Sequence, residues 1–272
     1  MQDETTNTDP NASPRTPAQL PTYYRGERAT LDERGRFGEK FARQIVETTR
    51  PFLPVPAEQL CVLDVGSGYG HTAAALSRLC RSVVGIEPSR PLYDFAVGCY
   101  ASGELTNLEF RCQDAASMTE TDRYDLIVLD NVLEHVPNQP ETLTKIATAL
   151  KPGGVLYLLV PNKLWPIEPH YALPFLSYLP LPLANLYLRA SGRGNDYADA
   201  SYAPTYFRLN RLLRGCGELS FQYVLPADLS LAAGGGSWTY RLGVAAIRRC
   251  RWLWIVSKAL LVVAVKNTSR RR

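Results

Sequence analysis

The stretch CVLDVGSGYGHTAAALSRL, residues 61–79, constrains the fold more than any other part of the chain. An apolar, β-branched run ends in Gly66, Gly68 and Gly70, and small apolar residues at helical spacing follow. A strand that ends in a tight glycine turn and feeds a helix presents bare backbone and helix N–H groups to a ligand. The spacing is G-x-G-x-G, not the G-x-G-x-x-G of dinucleotide sites. There the third glycine packs helix against strand beside a pyrophosphate. His71 stands where that glycine would be. Asp64 sits inside the motif at the strand end, where a carboxylate repels a pyrophosphate and suits a ligand carrying an ammonium group. A glycine turn with no ligand is the alternative reading.

The flanking sequence repeats this alternation. QLCVLDVG, SVVGIEP, NLEFRCQD, YDLIVLDN and GVLYLLVPN read as strands. HTAAALSRL, LYDFAVGCYAS and PETLTKIATALKPGG read as helices between them. Short buried strands separated by helices predict right-handed βαβ units and a doubly wound α/β sheet. Ahead of them, residues 31–53 carry Phe37, Phe41 and Ile45 at helical spacing, in a helix that stops before Pro51 and Pro54.

The pattern breaks over 164–204, a segment rich in aromatic residues and too rich in proline for a regular helix or central strand. It is expected to form a lid insertion of short helices. Its apolar wall suits a lipophilic acceptor, and equally it could simply cover the core. Alternation resumes over 205–266 with the helix TYFRLNRLLRGCG, closed by Gly215 or Gly217, and the strand ELSFQYVLP. GGG at 234–236 reads as a flexible break. The run WLWIVSKALLVVAVKN is too short to span a bilayer at the ~20 residues required. It divides into a helix end and a last antiparallel edge strand, ALLVVAVKN, or lies in a membrane interface. The expected domains are thus a disordered tail (1–30), a core (31–163), the lid (164–204), the rest of the core (205–266) and a basic tail (267–272).

The chain has 272 residues, of which 46% are hydrophobic, enough for one large α/β domain with additions. From Leu229 onward there are nine Lys/Arg and no Asp/Glu, so the remainder carries −5 of a +4 total. A basic end on an acidic body suggests contact with an anionic surface such as a membrane, or a solubilising tail. The six cysteines form no C-x-x-C pair and no metal spacing, as in reduced thiols of a cytoplasmic protein. The N-terminus has no apolar h-region and does not read as a signal peptide.

Two more acids fall at strand ends. Glu87 lies about 20 residues past the loop, where an acid binds ribose hydroxyls of any adenosine ligand. Asp114 closes the third strand, where a carboxylate followed by a backbone N–H can hold adenine. Asp64, Glu87 and Asp114 all fall at the carboxyl edge, where doubly wound sheets bind ligands. His135 and Glu134 follow the fourth strand and His170 lies in the insertion. All three are candidate bases, while His71 braces the glycine turn or borders the ligand.

VLDVGSGYG, VVGIEPS, FRCQDAAS, YDLIVLDNVLEHV and LKPGGVLYLLVPN, in that order and spacing over residues 58–165, resemble the motifs of class I S-adenosylmethionine-dependent methyltransferases. The ubiquinone-biosynthesis-like small-molecule branch is most similar. The resemblance implies a Rossmann-like seven-stranded sheet with an antiparallel last strand and S-adenosyl-L-methionine as cofactor. It implies that Asp64, Gly66, Ser67, Gly68 and Gly70 hold the methionine end, Glu87 and Pro88 the ribose, and Asp114 and Ala115 the adenine. The Asp130–Asn131 turn lies beside the cofactor. In the ubiquinone-type enzymes an acid three residues before the E-H pair belongs to a metal-linked substrate site. Here Asn131 stands there, with Asp130 one place earlier, so no metal is expected.

The reaction expected is methyl transfer to a small or lipid-linked acceptor, with O-methylation favoured. Proximity and alignment supply up to roughly 7–11 kcal/mol in such a displacement. A membrane-associated methyltransferase of a glycan or glycolipid precursor, an NAD-dependent oxidoreductase and a non-catalytic scaffold are the alternatives. Asp64 and the missing third glycine count against NAD. The scaffold would be expected to have lost the pocket acids. No nucleic-acid partner is expected, since DNVLEHV replaces an Asn-Pro-Pro-aromatic motif after the fourth strand.

Overall fold

A computed structural model describes residues 31–100, 105–229 and 237–268. The expected disordered tail (1–30), the glycine break at 234–236 and the arginines of the basic tail lie outside the described residues. Seven strands form one sheet: β1 (Cys61–Val65), β2 (Ser82–Ile86), β3 (Leu108–Arg111), β4 (Tyr124–Asp130), β5 (Leu150–Pro161), β8 (Leu219–Tyr223) and β9 (Ala259–Lys266). Their order is β3-β2-β1-β4-β5-β9-β8. β1 to β5 are mutually parallel, and β9 runs antiparallel to both β5 and β8. The seven-stranded sheet with an antiparallel last strand is therefore as expected. The last strand is not at the edge, however: β9 is fully inserted between two neighbours, which explains its nearly continuous apolar run.

Alternate residues of each central strand enter two different cores, as a pleated strand covered on both faces requires. Leu63, Ile127, Leu156 and Leu158 pack with Leu143 and Ile146 of α4 (Gln139–Ala149) and Leu209 and Leu213 of α6 (Tyr206–Gly215). Val62, Leu126, Val128 and Val155 pack on the other face with Ala42 and Ile45 of α1 (Leu31–Thr49) and Leu76 of α2 (His71–Ser77). α3 (Arg90–Tyr100) joins β2 to β3. In α1 the buried stripe is Gly38, Ala42, Ile45 and Thr49, spaced four, three and four. Phe37 lies one residue off that stripe and is 56% exposed, against expectation. Gly38 is on the stripe because a Cβ there would come within 2.7 Å of the His71 backbone.

The strand order reverses between β1 and β4, so their carboxyl ends diverge into a crevice at the topological switch point. Above it sits the insertion. It is less helical than expected: a hairpin of β6 (Ile167–Glu168) and β7 (Leu173–Pro174), one 3-10 turn and a single helix, α5 (Leu181–Ala190). Proline excludes longer helices here, and the segment carries its own small core of Tyr171, Leu173, Leu176, Ala184, Leu188, Tyr197 and Ala200. α7 (Trp238–Arg249) and a 3-10 segment, Arg251–Val256, lead into β9. No described helix is long and apolar enough to cross a membrane.

Asn162, 3% exposed, fastens the insertion to the sheet. Its Nδ2 donates to the carbonyls of Ile255 (2.9 Å) and Ser257 (3.0 Å), and its Oδ1 accepts from the Leu164 N–H (3.1 Å). One side chain thus ties the end of β5, the start of the insertion and the approach to β9. Removing it strands buried backbone groups. Asn162→Ala should lower unfolding free energy by about 2 kcal/mol, measured by urea denaturation. A loss below a few tenths would show that the latch carries no load.

Candidate functional site

The glycine turn takes its shape from backbone constraints. Gly66, Gly68 and Gly70 all have positive φ, at 68°, 55° and 78°. Crowding adds to this at the two ends: a Cβ on Gly66 would come within 2.6 Å of Val132, and one on Gly70 within 2.7 Å of Phe110. The turn is drawn onto β2 by Gly66 and Ser67 N–H groups, both donating to the Ile86 carbonyl at 2.8 and 3.0 Å. The Gly68 N–H then donates to Glu87 Oε2 (2.9 Å), and the Ser89 N–H donates to Oε1 (2.9 Å). Glu87 therefore braces the turn from the next strand. Burial pushes its carboxyl up, opposed by those two hydrogen bonds and by His135.

Asp64 is 4% exposed, and its Oδ2 has no hydrogen-bond partner among the described residues, nor has the nearby Ser67 Oγ. Burial, then the charges of Asp130 and Glu87, push the Asp64 carboxyl up to about 8. Asp130, at the end of β4, is pushed up to about 7 by burial and by Glu134, against a hydrogen bond from Asn131 Nδ2 (2.8 Å). Asn131 itself has φ 55°, a strained turn that an Asn tolerates better than most residues. Buried acids whose charges oppose one another mark a candidate site for a cation.

The other expected cofactor residues line the same edge. Asp114 is exposed and its Oδ1 accepts from the Ala116 N–H (2.8 Å), capping the 3-10 turn that begins at the buried Ala115. Pro88 is exposed between Glu87 and Ser89. His71 opens α2, bonds through Nδ1 to the Tyr100 hydroxyl and stacks beside Tyr69, so it braces the turn.

The candidate bases form a second cluster, next to the first. Glu134 is 0% exposed, and neither carboxyl oxygen has a hydrogen-bond partner among the described residues. Burial holds it above the usual carboxylate range, against the pull of His135 and His170. The Nε2 atoms of His135 and His170 lie 4.0 and 3.9 Å from Glu134 Oε1. Each imidazole is held at Nδ1 by an acid: His135 by Asp199 (3.2 Å), His170 by Glu168 (2.7 Å). Burial alone would depress His135, but Asp199 and Glu134 outweigh it and hold its pKa above the ordinary value. One ligand atom each from Glu134, His135 and His170 fall within 4.8 Å of one another, a spacing that would also admit a cation.

Sequence reasoning missed Glu168, Asp199 and Arg193, whose guanidinium donates to the carbonyls of Tyr171 (2.7 Å) and Ala172 (2.8 Å). Only Glu168 left a signal: it lies two residues before His170.

A methyltransferase-domain family model matches residues 35–224. A ubiquinone biosynthesis O-methyltransferase of Coxiella burnetii (strain Dugway 5J108-111) is 35% identical over 103 residues, covering 38% of this chain and 44% of that protein. The protein of the same name from Methylobacterium nodulans is 29% identical, covering 42% and 45%. The chain thus spans under half the length of these curated relatives. Among solved structures, YcgJ of Bacillus subtilis has a TM-score of 0.54 at 16% identity, covering 84% of this chain and 99% of that one. The plantazolicin methyltransferase BpumL, solved with a desmethyl-plantazolicin analogue and SAH, has a TM-score of 0.54 at 18% identity, covering 87% of each chain. The cyclase SpnF also has 0.54 at 18%, covering 85% and 81%. A cyclase among the fold neighbours shows that likeness of fold carries the architecture and not the reaction.

Asp64 and Asp130 titrate near 8 and 7 when folded, far above an unfolded aspartate near 4. Between those limits the unfolded chain binds fewer protons. Their contribution to stability is therefore present below about pH 4 and lost as pH rises through 7 to 8. Asp64→Asn should flatten this decline, so that its melting temperature overtakes that of the parent protein as the pH is raised. Parallel melting curves from acid to mildly alkaline pH measure it, and equal slopes would refute the burial of an ionisable Asp64.

Proposed function

The chain belongs to the methyltransferase-domain family matched over residues 35–224, as its resemblance implied. From that premise we propose that it moves the methyl group of S-adenosyl-L-methionine to a hydroxyl of a small, lipophilic acceptor. The observation that carries the cofactor is the acid group at the β1/β4 crevice. A ligand with an ammonium and a sulfonium answers the unpartnered Asp64 oxygen and the repulsion among Asp64, Glu87 and Asp130. A pyrophosphate would add charge of the same sign, which disfavours NAD. When bound, the cofactor supplies a methyl group already activated by the sulfonium.

In this reading Asp64 and the Gly66–Gly70 turn take the methionine end and Glu87 takes the ribose with Pro88 beside it. Asp114 and Ala115 take adenine, and Asp130–Asn131 borders the sulfonium. Glu134, His135 and His170 form the acceptor side. The O-methyltransferase names of the curated relatives support a hydroxyl acceptor. The exposed apolar side chains of the insertion, Phe175, Leu183 and Leu186, support a lipophilic or lipid-linked one.

Calorimetric titration tests the cofactor. S-adenosyl-L-methionine should bind and NAD should not, and Glu87→Ala should weaken binding at least tenfold. The cation should also ionise Asp64 and Asp130, so that at pH 7 binding releases protons. The observed heat should then change with the ionisation enthalpy of the buffer. NAD binding in its place would overturn the reading. Buffer-independent heats would remove the acids from the cofactor's charge.

Peripheral attachment to anionic membranes, including action on a glycolipid precursor, is supported by one surface. Trp238 and Trp252, 74% and 78% exposed, share the segment with the exposed Arg248, Arg249 and Arg251. The protein should float with phosphatidylserine vesicles at low salt and release at high salt. No flotation at low salt would remove this part of the reading.

A further inference from the structure

Glu168 stands outside every residue set considered so far for cofactor or base. It is 2% exposed, in a two-residue strand of the insertion. Both its oxygens are engaged: Oε2 accepts from the Tyr171 N–H (2.7 Å) and Oε1 meets His170 Nδ1 (2.7 Å). A carboxylate at Nδ1 fixes the imidazole with its proton on that nitrogen and its lone pair on Nε2. His170 Nε2 in turn faces the Glu134 carboxyl at 3.9 Å. Asp130 and Asp64 continue the row of acids, each raising the next, toward the glycine turn. His170 therefore stands at the end of the row opposite the cofactor loop, on the acceptor's side.

The tip that carries His170 is held firmly. Ala172 and Phe175 take positive φ, at 52° and 57°, a strain of about 1–3 kcal/mol for each such residue. The Arg193 guanidinium bonds to the Tyr171 and Ala172 carbonyls, and the Tyr171 hydroxyl donates to the Asp196 carbonyl (3.1 Å). Strain enforced by several contacts around one histidine is characteristic of a positioned group. His135 is held at Nδ1 by Asp199 through its carboxylate (3.2 Å) and its backbone carbonyl (3.1 Å), but that carboxylate is 52% exposed. An exposed carboxylate is screened by water, whereas Glu168 is 2% exposed. The buried acid makes the stronger anchor.

We infer that Glu168 is a positioning residue that holds His170 as the base for the acceptor hydroxyl, an assignment that rests on the O-methylation reading above. The hydroxyl proton passes to His170 Nε2, and the oxygen forms its bond to the methyl carbon. The carbon–sulfur bond breaks with its electron pair retained by sulfur, leaving the neutral thioether product. The imidazolium formed is balanced by Glu168 at Nδ1, and it returns its proton to solvent after product leaves.

The test uses the full-length protein, S-adenosyl-L-methionine and two probe acceptors. One is an unactivated phenol, protonated at neutral pH. The other is para-nitrophenol, and both are assayed at about pH 8, where it is largely ionised and needs no base while the plain phenol keeps its proton. Glu168→Gln keeps an acceptor for the Tyr171 N–H and should cut turnover of the plain phenol on the order of 100-fold. It should change turnover of para-nitrophenol by less than about threefold, because no proton has to be taken. His170→Gln should show the same discrimination. The double variant should be no slower than His170→Gln alone, because Glu168 acts through the ring.

Equal losses on both phenols, or additive losses in the double variant, would reduce Glu168 to a structural brace and overturn the inference. So would calorimetric binding of Mg²⁺ or Zn²⁺ that His170→Gln abolishes, since the ring would then serve a metal. Cofactor binding measured separately distinguishes the two levels of failure. If the cofactor binds and neither phenol is methylated, the base assignment falls. If the cofactor does not bind, the function proposed above falls with it.

Discussion

Carboxyl groups gathered where β1 and β4 part are the constraint on which the rest of this structure depends. Asp64 and Asp130 come from β1 and β4, Glu87 from the residue just past β2 and Glu134 from the turn after β4, and Asp64, Glu87 and Glu134 are nearly or wholly buried. Burial raises the pKa of all four, and neighbouring acids raise Asp64 and Asp130 further, so the site resists being fully ionised. A fold that served stability alone would place apolar residues there. The parallel sheet brings these positions together at its carboxyl edge whatever their identity, and the surrounding core fixes them too firmly for the acids to move apart. The cofactor proposed for this site would supply the positive charge that this geometry lacks.

The glycine turn makes that edge approachable. With positive φ at three alternate residues, the backbone folds back on itself between β1 and α2, and its N–H groups are taken up by Ile86 and Glu87. Gly66 leaves no room for a side chain beneath Val132, which belongs to the turn following β4. The two halves of the crevice are thus in contact through a glycine and a valine. Asn131, with its own positive φ, sits one residue away. One wall is shaped by glycines that take positive φ freely and the other by the strained Asn131, as expected of a site shaped before its ligand arrives.

Much of this was legible in the sequence because it is local. Strand runs, glycine spacing and acids at strand ends depend on residues within a few positions of one another, and the sheet positions follow from right-handed crossovers. The burial of β9 on both sides was legible in its unbroken apolar run, but its place between β5 and β8 was not, since no local pattern encodes strand order. The insertion was read as helical because proline-rich segments carry little periodicity of either kind. Its folding depends on Glu168, Arg193 and Asn185, partners separated by 3 to 22 residues from the groups they hold. Phe37 misled because a hydrophobic spacing does not state which stripe faces the sheet. The stripe was set instead by Gly38, chosen for close approach to His71.

In the proposed function, the cofactor side and the acceptor side meet in one short segment, residues 130–135. Asp130 faces the glycine turn, while Glu134 faces the two imidazoles, and the Glu134 carboxyl disfavours the charge of Asp130. A cation bound against Asp130 offsets that repulsion and makes ionisation of Glu134 easier. An ionised Glu134 in turn favours a proton on His135, and such a coupling is reciprocal. The insertion shares this segment through the Tyr202 N–H, which donates to the Glu134 carbonyl (3.2 Å), and through the Gln139 amide, bonded to both Leu133 and Tyr202 carbonyls. The two half-sites are therefore linked by charge and by backbone through the same few residues, and a change at position 134 should disturb both.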